Sequence, residues 1–129
     1  MNKDLNFGLQ QEDKLLPLIV SKYGDDIFKT DKMCRWDYES DTILIELKSR
    51  RVKKNTYPTT MIGKTKVDLM LNNGKRVIAI FKFLDGTFEI EITKEITGKF
   101  DIREGGRCDR GMNEQDIYYY IPVEMLSTL

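Results

Sequence analysis

The chain has 129 residues, of which 40% are apolar and 33% charged, with 21 basic against 21 acidic groups, no histidine and two cysteines. This length predicts a single domain, residues 1–129, whose core needs neither disulfides nor structural zinc. The lack of histidine excludes Ser-His-Asp and Cys-His catalysis as well as zinc-hydrolase sites, so any chemistry must use carboxylates, lysines, arginines, tyrosines or thiols.

The cysteines and the apolar runs indicate the compartment. Cys34 and Cys108 lie far apart in unlike contexts without a CxxC spacing, which is typical of reduced thiols in an intracellular protein. No apolar run approaches membrane-spanning length, and the first ten residues lack the apolar segment of a signal peptide. We therefore expect a soluble, cytoplasmic protein without a membrane partner.

In chain order, the first predicted element is a helix over residues 10–23, and Gly24 follows it as a stop signal. Its apolar residues recur on one helical face; they are Leu15, Leu16, Leu18, Ile19 and Tyr23. Pro17 is expected to kink this helix or delay its start, because proline has no backbone N–H to donate.

A hairpin follows the helix. Residues 27–39 are of extended type and residues 42–47 are rich in β-branched and apolar residues, with Ser40-Asp41 between them as a two-residue turn. Residues 49–58 form a basic, turn-rich segment, and a short helix is expected within residues 59–71.

The second half of the chain predicts another hairpin. Residues 77–84 and 87–93 flank Asp85-Gly86, which is the strongest short hairpin signal. In the second of these strands apolar residues alternate with Glu89 and Glu91, so one face is expected to be buried and the glutamate face wet.

Residues 94–114 are rich in loop formers, and residues 116–121 predict a last strand before a terminal turn. The order of elements is a helix, several strands, a second helix and further strands. This order predicts an α/β (α+β) domain, built on a mixed sheet of about five strands flanked by helices.

The zero net charge conceals a strong segregation. Residues 42–82 carry ten basic and two acidic groups, whereas residues 1–41 carry six and nine, and residues 83–129 carry five and ten. The basic groups of the middle third suit a polyanion such as nucleic acid; they include Lys48, Arg50, Arg51, Lys53, Lys54, Lys64 and Lys66. The alternative is a solvated face that the acidic flanks neutralise.

The strand over residues 42–48 carries charge where charge is expensive. Its two-residue period places Leu44, Glu46 and Lys48 on one face and apolar residues on the other. Both faces begin apolar, as in a central strand that is covered on each side. Glu46 and Lys48 are therefore candidates for a function.

The predicted hairpin decides where Asp37 points. With a two-residue turn, Glu39 opposes Thr42 and Asp37 faces Leu44, which places Asp37 diagonal to Glu46, within about 7–8 Å at the backbone. A slip of one residue would move Asp37 to the opposite face, so this prediction depends on the turn.

Two carboxylates about 4 Å apart repel by roughly 4 kcal/mol at the effective dielectric of such sites. Asp37 and Glu46 therefore suit a hard divalent cation that keeps several waters, which is the habit of Mg²⁺, with Mn²⁺ as a substitute. Such a cation beside Lys48 is an arrangement that can hydrolyse phosphodiesters. The alternative is a structural ion pair of Glu46 with Lys48 or Arg35.

Asp37 followed by Glu46-Leu47-Lys48 on an apolar strand resembles the active core of the PD-(D/E)xK nuclease superfamily, with Trp36 in place of the motif's proline. The segment Gly8-Leu9-Gln10-Gln11-Glu12 resembles the helical glutamate motif of Holliday junction resolvases in that superfamily, particularly the phage endonuclease I type. Other segments are similar to small nuclease-like proteins of phages and large DNA viruses; they are Lys48-Ser49-Arg50, residues 57–63, Asp85-Gly86 and residues 106–111.

The resemblance implies a restriction-endonuclease-like core and a role for each matching residue. Asp37 and Glu46 would bind metal, aided by the carbonyl of Leu47, and Lys48 would position the nucleophilic water. Glu12 would complete the site as a second-metal ligand or as a partner of Lys48. The implied function is Mg²⁺-dependent cleavage of DNA, branched or duplex, in the host cytoplasm if the protein is of phage or viral origin. A homodimer would follow from the need to cut two strands.

The basic cluster leaves the metal strand directly. A strand that brings Lys48 to a scissile phosphate would therefore bring Arg50, Arg51, Lys53 and Lys54 to neighbouring phosphates. Arg107 and Arg110 lie in a glycine-flanked loop and are further candidates for phosphate contact, with a structural pair to Asp109 as the alternative. Residues 118–120, all tyrosines, are expected to pack in the core and at an edge rather than to stack on bases.

Two other functions stay open on the sequence. One is a non-catalytic module of the same fold that binds nucleic acid or a protein. The other is a structural phage or viral protein with ordinary ion pairs.

Overall fold

The computed structural model describes the backbone of residues 3–31, 33–105 and 116–129, and the side chains of residues 12–31, 33–104 and 117–129. Within these residues the helices are α1 (Lys3–Tyr23), α2 (Lys64–Leu71) and α3 (Lys94–Thr97). The strands are β1 (Phe28–Lys29), β2 (Tyr38–Glu39), β3 (Ile43–Ser49), β4 (Thr59–Gly63), β5 (Arg76–Phe83), β6 (Gly86–Ile92), β7 (Asp101–Gly105), β8 (Asp116–Pro122) and β9 (Ser127–Thr128).

Six strands form a mixed sheet in the order β1-β2-β3-β5-β6-β9, in which β3 and β5 pair in parallel and the other neighbours pair antiparallel. A second, antiparallel sheet has the order β4-β8-β7. The predicted α+β architecture with a mixed main sheet is therefore confirmed. The second sheet was not predicted, because β4 and β7 lie in segments whose composition indicated a helix and loops.

Strand β3 separates two cores. On one face, Leu15 and Ile19 of α1 pack against Ile43, Ile45 and Ile78. On the other face, α2 and the second sheet cover Leu44 of β3 together with Val77, Ala79 and Phe81 of β5. The covering residues include Ile62, Val67, Met70, Tyr119 and Ile121. The prediction of a central strand covered on both faces is confirmed.

Helix α1 differs from its prediction at its start. It begins at Lys3 rather than at residue 10, and Pro17 lies inside it without ending it. It ends where predicted, since Gly24 has a φ of +128° and its amide donates to the carbonyl of Val20 at 2.9 Å. Leu18 was assigned to the apolar face and is 42% exposed, so that assignment is wrong.

The first hairpin has a longer turn than predicted. Tyr38 opposes Ile45 and Glu39 opposes Leu44, a register two residues away from the predicted one. The cause is the buried Ser40, whose hydroxyl accepts the amides of Thr42 at 3.2 Å and Ile43 at 3.1 Å. This side chain forms the turn that the sequence assigned to Ser40-Asp41. A shift by two keeps every side chain on its predicted face.

The second hairpin turns one residue earlier than predicted, because Phe83 pairs with Gly86. Glu91 is exposed beside Arg76, as expected for a wet face. Glu89 is buried, which corrects the prediction for this residue. It accepts a hydrogen bond from the hydroxyl of Tyr23 and pairs with Lys22, because the end of α1 packs over this part of the sheet.

Two further observations concern membrane spans and cysteines in the described residues. None of the helices in the described residues is long and apolar enough to cross a membrane. Cys34 carries a free thiol. Cys108, Arg107 and Arg110 lie outside the described residues.

Candidate functional site

Glu46 is the buried centre of the site. It lies in the middle of β3 and is 3% exposed. Its Oε2 atom is 3.2 Å from the ammonium of Lys48 and 2.9 Å from that of Lys66. Its Oε1 atom is buried and has no hydrogen-bond partner among the described residues. Burial raises the pKa of Glu46, the charge of Asp37 raises it further, and the two lysines offset part of this rise.

Asp37 lies where the strand β2 begins and the ladder with β3 ends. Its amide donates to the carbonyl of Ile45 at 3.0 Å, and its Oδ2 atom accepts the amide of Leu47 at 2.7 Å. The β2–β3 ladder ends here, and the carboxylate of Asp37 serves as the acceptor for the Leu47 amide in place of a backbone carbonyl. The residues that contact Asp37 flank Glu46, so the corrected register brings the two carboxylates together.

Burial raises the pKa of Asp37 from 3.8 to about 6. The next cause is the side chain of Glu12, whose hydrogen bonding and charge both raise the pKa, while the Leu47 amide lowers it. Asp37 is therefore the middle member of a row of three carboxyl groups, of which one comes from α1 and one from β3.

Glu12 is fixed by contacts that tie α1 to the sheet. The hydroxyl of Tyr38 donates to the backbone carbonyl of Glu12 at 2.5 Å. The ammonium of Lys29 lies 3.6 Å from Glu12 Oε2 and donates to Asp13 at 2.9 Å. The Glu12 side chain is close enough to Asp37 to raise the pKa of that group, and Asp37 in turn raises the pKa of Glu46. The sequence did not indicate that Tyr38 and Lys29 would contact Glu12.

Lys66 joins the site from α2. The sequence grouped it with the surface lysines, and only the packing of α2 on the sheet brings its ammonium to Glu46. Its side chain also lines a cleft of about 420 Å³. The cleft walls come from residues 34–35, from the end of β4, from α2 and from β8; they include Arg35, Gly63, Thr65, Leu69 and Tyr118.

The basic segment after β3 divides in two. Arg51 and Lys53 are exposed, and Lys54 has its ammonium 4.7 Å from the centre of the Phe88 ring. Arg50 is directed into the protein, where it donates to the carbonyl of Met61 at 2.7 Å. The structure therefore does not place Arg50 for contact with a phosphate, because its guanidinium links β3 to the second sheet.

Lys64 and two further acids, Asp68 and Glu39, have partners outside the Glu46 site. Lys64 pairs with Asp68 at 2.6 Å within α2. Glu39 accepts from the indole of Trp36 at 2.7 Å and pairs with Lys75 at 3.0 Å, and these two contacts lower its pKa. Neither acid is directed at Glu46.

The donor set fits a hard cation. Within the described residues no group of three or more His, Cys, Asp or Glu side chains is arranged to hold a metal ion. Mg²⁺, however, commonly binds through one or two carboxylates and keeps several waters. Asp37 and Glu46 offer oxygen ligands of this kind, and the unpartnered Oε1 of Glu46 is a buried acceptor that a cation or its water would satisfy.

The comparisons with known proteins place the chain in a family. A protein-family model described as "phage putative PDDEXK endonuclease" matches residues 10–129 of the chain. Searches of curated proteins and of solved structures returned no significant match.

Proposed function

Because the chain belongs to this phage PDDEXK endonuclease family, we propose that it hydrolyses DNA phosphodiester bonds with Mg²⁺, or Mn²⁺ in its place, at the site around Asp37 and Glu46. The observation that supports this most is the state of Glu46. It is buried between two ammonium groups and retains one unpartnered oxygen beside a second carboxyl group. A buried acceptor left in this state is destabilising unless a ligand completes it.

Each residue has a proposed task. Asp37 and Glu46 would hold the cation together with the carbonyl of Leu47, and Glu12 would hold Asp37 in place or bind a second cation. The bound cation would polarise the phosphate and make a coordinated water more acidic. Lys48 Nζ would orient the attacking water and take part in moving its proton.

Three groups in the described residues are proposed to contact the DNA backbone outside the cation site. They are the exposed side chains of Arg51 and Lys53, with Lys54 beside them, and they follow Lys48 in the chain. Contacts of this type position DNA without reading its sequence. Arg107 and Arg110 remain proposed contacts, and Lys64 would have to leave Asp68 to contribute.

The finer parts of the proposal are the substrate and the assembly. We propose branched or duplex DNA as the substrate and a homodimer as the working form, because both strands of a duplex must be cut. The resemblance to resolvases supports the branched substrate. Sedimentation of the protein with and without a four-way junction tests the dimer.

The test of the function compares three substrates. Wild type and Lys48→Ala are incubated with a four-way junction, a linear duplex and a single strand, with Mg²⁺, Mn²⁺ or EDTA. We expect metal-dependent cutting by wild type and a loss of at least about 100-fold in Lys48→Ala, as for removal of a general acid–base group. Lys99→Ala is the matched control, because Lys99 is exposed and lies outside the site.

A non-catalytic binding module of the same fold is the second candidate. The observation in its favour is that Lys48 and Lys66 together already balance the charge of Glu46. If wild type cuts none of the substrates with either cation but binds one of them, this candidate replaces the nuclease.

A further inference from the structure

Two lysines reach the same oxygen of Glu46 in different ways. Lys66 donates a hydrogen bond to Oε2 at 2.9 Å. Lys48 lies at 3.2 Å from this atom as an ion-pair partner. Lys48 extends from the same strand as Glu46, whereas Lys66 comes from α2, which packs on the Leu44 face of that strand. Lys66 therefore holds a positive charge against the carboxylate whose other oxygen, Oε1, is open to a cation, and this charge opposes cation binding.

We propose that Lys66 competes with the divalent cation for Glu46 in the DNA-free protein, and that it moves to a phosphate of bound DNA when the cation enters. This inference rests on the proposed function. It adds a coupling between metal and substrate, in which the charge of Lys66 disfavours cation binding until DNA provides another anion for its ammonium.

The charges around the pocket support this exchange. Two ammonium groups, those of Lys48 and Lys66, already stand against the Glu46 carboxylate and its neighbour Asp37 without a metal. A divalent cation would leave the pocket positive unless a lysine withdraws or an anion arrives. A DNA phosphate is such an anion, and it would draw a lysine that has a cleft to move into.

Lys66 has this space. Its side chain is 35% exposed, and it lines the cleft of about 420 Å³ beside α2. Arg35 lines the same cleft, and no acidic side chain is among the described residues that line it. The long, flexible stem of a lysine allows the ammonium to swing from Glu46 into this cleft, where a phosphate would find two cations.

The coupling has a measurable consequence. If the charge of Lys66 opposes cation binding at Glu46, removing it should tighten metal binding and at the same time slow DNA cleavage. Thermodynamic linkage also requires that DNA tighten metal binding by the same factor by which metal tightens DNA binding. Replacing a lysine that only supports the fold would not increase the affinity for metal.

The test measures Mn²⁺ binding by titration calorimetry on the full chain, first alone and then with a four-way junction whose phosphates resist cleavage. For Lys66→Met we expect roughly tenfold tighter Mn²⁺ binding without DNA, within the usual range of coupling between two sites. The junction should tighten Mn²⁺ binding in wild type and have little effect in Lys66→Met. Lys66→Gln provides a second neutral variant, and Lys66→Arg should stay close to wild type.

Lys64→Met is the matched control. Lys64 lies two positions earlier in α2, its side chain is 32% exposed, and it pairs with Asp68 instead of Glu46. Its Mn²⁺ affinity should equal that of wild type. Equal tightening in Lys64→Met and Lys66→Met would mean a general charge effect and would overturn the inference, as would unchanged or weaker Mn²⁺ binding in both neutral variants of Lys66.

These outcomes are separate from a failure of the proposed function. If wild type cuts DNA with Mn²⁺ and the Lys66 variants bind Mn²⁺ no more tightly, the nuclease stands and the competition is refuted. If wild type neither binds Mn²⁺ with or without the junction nor cuts it, the nuclease itself is refuted.

Discussion

The raised pKa of Asp37 predicts that the site destabilises the metal-free fold. Burial and the Glu12 carboxyl raise the pKa of Asp37 from 3.8 to about 6. Between these values the folded protein binds more protons than the unfolded chain, so stability falls as the pH rises through this window. Above about pH 6 the folded protein carries the full penalty of an ionised, poorly solvated carboxylate.

The variant Asp37→Asn should relieve this penalty. The amide stays neutral, its oxygen can still accept the Leu47 amide, and its nitrogen can donate to Glu12. The difference in pKa corresponds to about 3 kcal/mol, and the partial exposure of the side chain reduces this to about 1–3 kcal/mol. We therefore expect Asp37→Asn to be more stable than wild type by this amount at pH 8 and by little or nothing at pH 4.

The assay is urea unfolding in EDTA at pH 4, 6 and 8, with cleavage of the junction measured in parallel. Asp41→Asn is the control, because Asp41 is an exposed acid in the neighbouring turn and should show no gain. The variant Asp37→Asn should be inactive although it is more stable. The reasoning fails if its stability equals that of wild type at pH 8, or if the gain is the same at pH 4.

Two other predictions concern the contacts that shape the site. Ser40→Ala removes the acceptor for the amides of Thr42 and Ile43, so we expect a loss of about 1–3 kcal/mol in unfolding free energy and slower cleavage. Arg50→Met leaves the carbonyl of Met61 without its donor, so we expect a similar loss of stability while the salt dependence of DNA binding stays unchanged.

Each of these has a control. For Ser40→Ala it is Thr128→Ala, an exposed hydroxyl in β9, and a change within about 0.5 kcal/mol of wild type would contradict the assigned turn. For Arg50→Met it is Lys53→Met, which should flatten the salt slope by about 0.9 without loss of stability. A flatter slope in Arg50→Met would return this residue to the DNA contacts.

The sequence predicted the strand faces on which the site residues lie better than it predicted the register of the hairpin. Asp37, Glu46 and Lys48 lie on the faces that the two-residue period gave them. The predicted register of the hairpin was wrong, because the register depends on the hydroxyl of Ser40. The sequence does not show which amides the hydroxyl of a serine in a turn will bind. The shift was even, so the faces survived it.

Long-range packing is what the sequence did not contain. Nothing in the alternation around Glu89 indicates that Tyr23 and Lys22 would cover it, because those residues are far away in the chain. Likewise, Lys64 and Lys66 lie two positions apart in similar sequence. Only the way α2 packs on the sheet directs Lys66 to Glu46 and leaves Lys64 with Asp68. Strand β4 was missed because its neighbour β8 lies near the other end of the described chain.

The parallel pairing of β3 with β5 affects when the pocket can form during synthesis. The crossover between these strands contains β4 and α2, and parallel ladders of this kind depend on contacts that are distant along the chain and form slowly. Until β5 has left the ribosome, β3 pairs with β2 on one edge and has no strand on the other, and the residues that β5 adds to both cores are missing. A nascent chain that ends before Arg76 therefore already contains Glu12, Asp37, Glu46 and Lys48, yet it lacks the scaffold that turns them into a pocket.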